Sequence, residues 1–364
     1  MSSKSQKKIL IIKLSALGDV VHTLPVPRTL RQEYPDAYIA WMIEERYQEL
    51  LYNNPDINEV IPIRTKVWRK NWNKETFNEI LQIIKSIRQK NFDVVFDLHG
   101  LIKSGIIAML SGAKNKVGFH RKNCKEKISS IFTNIKGPYM AGGIHVVDMY
   151  LTLVQSALGI QNVAKQFPVS VPEAQEQKIE GFFQSQPELT AKPIVGINPG
   201  AGFESKLWKM ERFAKLADRI VDEMGYSILL LWGPGEEQKA KQITTSMKQK
   251  SWIAPATTIQ ESIALYKRLK LLVSCDSGPL HLCSALDIPT VSLFGPTDPV
   301  RNGAYGLHHE TVYKMLSCSF CWKRKCPLGT DECMQKVTVD DVFEAVRSNQ
   351  KNNIKAEGFM GIDK

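Results

Sequence analysis

The chain has 364 residues, 43% hydrophobic and 23% charged, the proportions of a soluble globular protein long enough for two domains. No apolar run approaches the ~20 residues that span a bilayer, and the basic start MSSKSQKKILIIKLS carries an apolar run too short for a secretory signal, so a cytoplasmic location is expected. The formal net charge of +11 calls for an anionic partner: nucleic acid, an anionic membrane or a phosphorylated substrate.

Residues 9–13 read as a short buried strand. The loop Ser15-Ala16-Leu17-Gly18-Asp19 follows, then a helix toward residue 34 that Pro25 and Pro27 should kink. Strands are predicted at 38–43, 59–63 and 94–97, and helices at 76–90 and 145–158. Strands alternating with helices imply a parallel sheet covered on both faces. From 167 to 191 the pattern lapses around Pro168, Pro172 and Pro187, apart from a short helical piece at 179–183, and reads as an interdomain linker.

The alternation then restarts. A strand at 194–198 ends in Pro199-Gly200-Ala201-Gly202, a helix covers 211–224, and a strand at 228–232 ends in Gly233-Pro234-Gly235. Helices follow at 236–248 and around 263–267, then a strand at 271–273 and the turn Asp276-Ser277-Gly278. Pro279 suits the first position of a helix at 280–286, because its missing N–H costs nothing there. A strand at 291–294 ends in Gly295-Pro296, and a last helix at 339–347 precedes a polar tail expected to be disordered at its end. The expected organisation is a first domain at 1–166, a linker at 167–191, a second domain at 192–335 and a helix with tail at 336–364.

The turn at Asp276 is the strongest chemical signal. A strand–turn–helix aims unpaired N–H groups and the positive end of a helix dipole at whatever lies above it, most often phosphate. His281 sits in the first helical turn; its plainer role is a core-facing histidine. Asp19, one residue past a glycine, fits a general base at the C-terminal edge of a sheet, and equally an N-cap for the next helix. His22, one turn on, reads as a packed or exposed helix residue. Lys206 could meet a diphosphate or lie on the surface. Glu236 could accept from a sugar hydroxyl or simply complement a helix dipole.

Two basic clusters, RTKVWRKNWNK and KNKVGFHRKNCKEK, include Lys66, Arg69 and Lys70, and Lys103 adds a charge after a strand end. Few acidic residues accompany them, so anion binding is expected rather than a merely solvated face. Four cysteines, Cys318, Cys321, Cys326 and Cys333, lie close together, which in a reducing compartment suggests either a closed structural zinc site or free, redox-active thiols.

Four segments carry a resemblance. SALGDVVHTLP at 15–25, WRKNW at 68–72, and DSGPLH with FGPTDP at 276–281 and 294–299 resemble, in order, the motifs of glycosyltransferase family 9, the lipopolysaccharide heptosyltransferases. The cysteine cluster resembles a feature of some members, outside the catalytic pattern, and Ser277 stands where some have Thr. The resemblance implies a GT-B fold: α/β, with two Rossmann-like domains of parallel sheet facing across a cleft. It implies inverting transfer of L-glycero-D-manno-heptose from ADP-heptose to a Kdo residue of the lipopolysaccharide inner core.

Under it Asp19 is the catalytic base. Lys206, Glu236, Asp276, Ser277, Gly278 and His281 bind the donor, and Lys66, Arg69, Lys70 and Lys103 meet the acidic Kdo-lipid A acceptor. No cofactor is required for catalysis. The enzyme would work peripherally at the cytoplasmic face of the inner membrane. Two alternatives stay open: a related transferase adding a later heptose or a hexose, and a non-catalytic nucleic-acid-binding module. The second leaves Asp19 and the phosphate turn without a role, so no nucleic acid is expected as partner.

Overall fold

The structure is a computed structural model that describes residues 6–360, with side chains through residue 352. The chain divides into two compact units, Met1–Ser170 and Val171–Lys364.

In the first unit β1 (Lys8–Ile12), β2 (Tyr38–Glu44), β3 (Glu59–Ile63), β4 (Val94–Asp97), β5 (Asn115–Gly118) and β6 (Ile135–Lys136) form one sheet in the order β3-β2-β1-β4-β5-β6. In the second, β7 (Ile194–Asn198), β8 (Ser227–Leu230), β9 (Trp252–Ile253), β10 (Leu271–Cys275), β11 (Thr290–Leu293) and β12 (His309–Val312) form another, ordered β12-β11-β10-β7-β8-β9. Every pairing in both is parallel. Read from its far edge, the second order repeats the first: strands three, two, one, then four, five, six. This is the Rossmann order. It leaves a crevice where the winding reverses, beyond the C-terminal ends of strands one and four. The apolar runs that open each unit explain why these strands lie innermost. Ile9, Leu10, Ile11 and Ile12 are all fully buried, as are Val195 and Ile197. A strand covered on both faces reads as continuous hydrophobicity.

Several expectations need correction. The helix expected toward residue 34 is two, Leu17–Val21 and Pro25–Glu33, and Pro25 opens the second. A proline fits a first helical position, where no N–H is needed, better than an interior one. The stretch 167–191 carries the helices Glu173–Gln184 and Pro187–Thr190. Ile179, Phe183 and Leu189 are buried. Ion pairs Lys178–Glu261, Lys267–Glu176 and Arg268–Glu180 tie it to the first turn of the helix Ile259–Tyr266 and to the turn after it. The last helix runs Val339–Met360, so most of the expected tail is helical; residues 361–364 lie outside the described residues.

Candidate active site

The first unit's crevice gathers ionisable groups where β1 and β4 end. Lys13 follows β1 and is 3% exposed. Its Nζ donates to the Leu98 carbonyl at 2.9 Å and to the Tyr150 hydroxyl at 2.5 Å, which satisfies a cation that would otherwise be costly to bury. Tyr150 comes from the helix Val146–Leu158. Its hydroxyl donates onward to Asp19 Oδ1 at 3.5 Å, and Lys13 Nζ lies 3.8 Å from the same oxygen. Asp19 Oδ2 accepts the Ala16 N–H at 3.2 Å. Asp19 therefore caps its helix with one oxygen and presents the other to Lys13 and Tyr150. Its side chain remains 35% exposed. Burial opposes its charge, but Lys13 above all, with the Ala16 N–H also contributing, holds the carboxyl below its ordinary value.

Across the crevice, Asp97 Oδ1 accepts the N–H groups of His99 at 3.0 Å and Gly100 at 3.1 Å, shaping the turn after β4. Burial raises the Asp97 pKa. Neither ring nitrogen of His99 is hydrogen-bonded within the protein. Burial, followed by Lys13, pushes His99 down to about 3, so it is a neutral imidazole at physiological pH; Asp19, Lys103 and Lys125 are close enough to act on it as well. Lys103 pairs with Glu44 at 3.6 Å and donates to Thr65 Oγ1 at 3.1 Å, and Thr65 in turn donates to Glu44. Lys66, Arg69 and Lys70 are exposed on the helix Thr65–Lys70, whose first residue that pairing anchors. His22 is buried, edge-on to His145 at 5.3 Å.

The second unit's crevice is built around Asp276, just past β10 and 4% exposed. Lys206 donates to Asp276 Oδ2 at 2.6 Å and Thr297 Oγ1 to the same oxygen at 2.7 Å; His281 Nε2 lies 3.4 Å from Oδ1. Burial works against this carboxylate's charge. The bond to His281 and the charge of Lys206 more than offset it and hold the group well below the usual carboxylate range. Ser277 precedes the helix Gly278–Ala285. Its hydroxyl bonds Ser274 Oγ at 2.9 Å and accepts from Asn198 Nδ2 at 3.1 Å, which clamps the ends of β7 and β10 together. Pro279 in the first turn supplies no N–H, and the remaining first-turn N–H groups have no intrahelical acceptor.

Glu236 lies beside the turn after β7. A Cβ on Gly200 would sit 2.1 Å from Glu236 Oε2, so only glycine leaves room for that carboxylate. Lys239 pairs with Glu236 Oε1 at 2.8 Å.

The structure thus brings Lys206, Asp276, Ser277, Gly278 and His281 into one cluster, with Glu236 over the neighbouring turn. Lys103 stands near Asp19 through His99; no described contact joins Lys66, Arg69 or Lys70 to them. Sequence reasoning missed Lys13, Tyr150 and His99 in the first unit and Thr297, Asn198 and Lys239 in the second. Thr297 had a signal, since it sits inside the FGPTDP segment.

Of the two readings of the cysteine cluster, the geometry does not support the zinc site. Among the described residues no group of three or more His, Cys, Asp or Glu is placed to hold a metal ion. The four cysteines are free and line one cavity, where the N–H groups of Asp331, Leu328 and Thr330 lower the Cys326 pKa. The segment braces the loops at Ser205 and Pro296. Ser205 N–H donates to the Arg324 carbonyl at 3.3 Å and Ser205 Oγ to that of Lys323 at 2.6 Å, while Trp322 N–H donates to the Pro296 carbonyl at 2.8 Å.

Two Rossmann-like units, one with unpaired N–H groups at the turn after its fourth strand and the other with a charged aspartate in its crevice, form the GT-B-like fold of a glycosyltransferase. The model of glycosyltransferase family 9 (heptosyltransferase) matches residues 80–331, more than half of the sequence, and the chain belongs to that family. It is 29% identical to lipopolysaccharide heptosyltransferase 1 of Pseudomonas aeruginosa over 320 residues, 88% of this chain and 87% of that protein. The structure of E. coli heptosyltransferase WaaC with ADP superposes with a TM-score of 0.73 at 26% identity, covering 94% of this chain and 99% of that one. A family 9 glycosyltransferase from Veillonella parvula shares the fold, with a TM-score of 0.81, 24% identity and coverage of 94% and 97%. Among the described residues no helix is long and apolar enough to cross a membrane.

Proposed function

We propose that this glycosyltransferase moves heptose from ADP-heptose to a Kdo residue of Kdo-lipid A during assembly of the lipopolysaccharide core, with inversion at the anomeric carbon. The observation that carries the reading is the turn at Asp276–Gly278, held by Lys206, Thr297 and His281, in a chain related to a heptosyltransferase whose structure contains ADP.

In this reading the second unit binds the donor. The first-turn N–H groups after Ser277 and the Lys206 ammonium face the diphosphate, and Glu236 accepts from the ribose hydroxyls. A nucleoside diphosphate leaves with its negative charge already delocalised, so it needs stabilised charge more than a proton. Asp276 is saturated with donors and acts as an orienting anion: it fixes Lys206 and His281 where the donor needs them.

The first unit binds the acceptor. Asp19, ionised at neutral pH, takes the proton of the acceptor hydroxyl as that oxygen attacks the anomeric carbon. The step is an inverting displacement in which a sugar hydroxyl replaces the water of an inverting glycosidase. Tyr150 and Lys13 orient the carboxylate and keep it charged. Lys66, Arg69 and Lys70 pair with the acceptor's carboxylates and phosphates. Because the acceptor is a lipid, the enzyme works peripherally at the cytoplasmic face of the inner membrane.

The test is a transfer assay with purified protein, ADP-heptose and Kdo-lipid A, reading ADP release and product mass. A product heavier by one heptose is expected. ADP release without a heavier lipid would mean a different acceptor, and absence of ADP binding would overturn the donor assignment.

A further inference from the structure

We propose that one layer of the first unit docks on an anionic phospholipid bilayer, through apolar side chains of the helices Lys74–Gln89 and Ile102–Leu110 and the short helix Lys127–Phe132. The inference deepens the reading of a lipid-borne acceptor.

The topology places these elements side by side. The helix Lys74–Gln89 crosses from β3 to β4 and Ile102–Leu110 crosses from β4 to β5. Their inner residues Ile83, Ile87, Ile107 and Ala108 pack in the same cluster on one face of the sheet. Lys127–Phe132 lies against Ile102–Leu110 so closely that a Cβ on Gly105 would sit 2.7 Å from the Phe132 ring. A soluble layer of this kind should turn polar residues outward. This one turns out Phe77 at 48%, Leu81 at 47%, Met109 at 46%, Ile128 at 58% and Ile131 at 70% exposure. Eight of the sixteen large apolar side chains exposed among the described residues fall within residues 67–131, Trp72 at 71% included. Exposed apolar groups concentrated in this way mark an interaction surface.

Charge identifies the partner. Residues 64–131 contain fifteen Lys and Arg against five Asp and Glu, nearly the whole net charge of +11. Four of the five are already bonded inside the protein: Glu79 pairs with Arg64 at 2.9 Å, Asp97 caps the turn after β4, and Asp93 and Glu126 accept the N–H groups of Lys8 and Ile102, while Lys90 and Lys103 pair with Glu59 and Glu44. Lys74, Lys85, Lys125 and Lys127 stand exposed among the apolar groups. Nucleic acid would meet the cations but leave the aliphatic side chains in water. A second copy of this face would set like charge against like charge. An anionic bilayer satisfies both at once: headgroups meet the cations and the acyl boundary takes the side chains.

The test is co-sedimentation of the full chain with vesicles of phosphatidylethanolamine and phosphatidylglycerol that contain no sugar acceptor, and with phosphatidylcholine vesicles. The wild type should bind the anionic vesicles and bind phosphatidylcholine about tenfold more weakly. The combined variant Phe77→Ser, Leu81→Ser, Ile128→Ser and Ile131→Ser should lose about tenfold or more in partitioning to anionic vesicles. It should keep its melting temperature and its turnover of a deacylated, water-soluble acceptor. Unchanged vesicle binding by the variant, or equal binding of wild type to both lipids, overturns the proposal. So does a concentration-dependent dimer, seen by sedimentation velocity and lost in the variant, which would give the face to a second copy. Because these vesicles hold no acceptor, docking without transfer would fault the assigned reaction, and transfer without docking would fault this face.

Discussion

Gly200 offers a test of the donor site that leaves the fold nearly untouched. In Gly200→Ala the new Cβ would lie 2.1 Å from Glu236 Oε2, 2.6 Å from its Cδ and 2.7 Å from Oε1. Ordinary carbon–oxygen contacts lie near ~3.5 Å, so the carboxylate must retreat by more than about 1 Å. It can do so cheaply, since it is the end of a flexible side chain, and its pairing with Lys239 at 2.8 Å is partly exposed and worth at most ~1 kcal/mol. Stability should therefore fall by about 1 kcal/mol or less. Donor binding should suffer more. A hydrogen bond to a charged acceptor contributes about 1.5–3 kcal/mol, so losing it should weaken ADP binding by roughly 10- to 150-fold. Titration calorimetry with ADP on Gly200→Ala, Glu236→Gln and the double variant measures this. The two substitutions remove the same interaction, so the double variant should be no weaker than the worse single one. Undiminished ADP affinity in Gly200→Ala, or additive losses in the double variant, would refute the assignment of Glu236 to the donor.

Asp19→Asn should lower turnover by about 10²- to 10⁴-fold and leave ADP affinity nearly unchanged, as expected for loss of a base rather than of binding; a matching loss of ADP affinity would recast Asp19 as a helix cap alone. Because the Asp19 pKa is held below its ordinary 3.8, the base is lost only as pH falls through that lowered value, so kcat/KM should show no acid limb from it above pH 5. A limb near pH 6 would assign the base to another group. Tyr150→Phe removes the hydroxyl between Lys13 and Asp19 and should slow turnover by about tenfold with ADP binding intact, measured by the same assays. Lys206→Met leaves a buried carboxylate without its cation, and should cost about 3–5 kcal/mol of stability in chemical denaturation as well as weakening ADP binding; added ADP should recover part of the loss.

What the sequence disclosed about the site was local. Asp19 and the turn at Asp276 stand directly after apolar strands, and strand–turn–helix chemistry is written in consecutive residues. Lys13 looks like the polar end of a strand until Tyr150, 137 residues away, supplies the hydroxyl that lets it be buried. His99 and Asn198 likewise take their roles from neighbours that only the sheet brings near. Lys103 read as free charge because Glu44 lies on another strand. The short strands β5, β6, β9 and β12 left no period-two signal to find. Each has two to four residues, and their place is set by pairing with a longer neighbour. The cysteine cluster failed as a metal prediction for a different reason. Spacing places the thiols near one another, and all four line one cavity, but among the described residues no three ligands are set to hold one ion.

Each unit sets a lysine–aspartate pair in the crevice of its sheet, and under the proposed function the difference between the pairs separates base from orienter. Asp276 is 4% exposed, and Lys206, Thr297 and His281 surround both its oxygens. A carboxylate so saturated cannot take a proton without discarding a bond, so it serves as a fixed charge that fixes its donors. Asp19 is 35% exposed; its lysine stands 3.8 Å away and its tyrosine 3.5 Å, so Oδ1 keeps capacity for an incoming hydroxyl. Lys13 still makes it ionised at neutral pH without consuming that oxygen. On the proposed function, the same order of strands serves a proton acceptor in one unit and an anion cradle in the other, because the loops decide how completely each aspartate is satisfied.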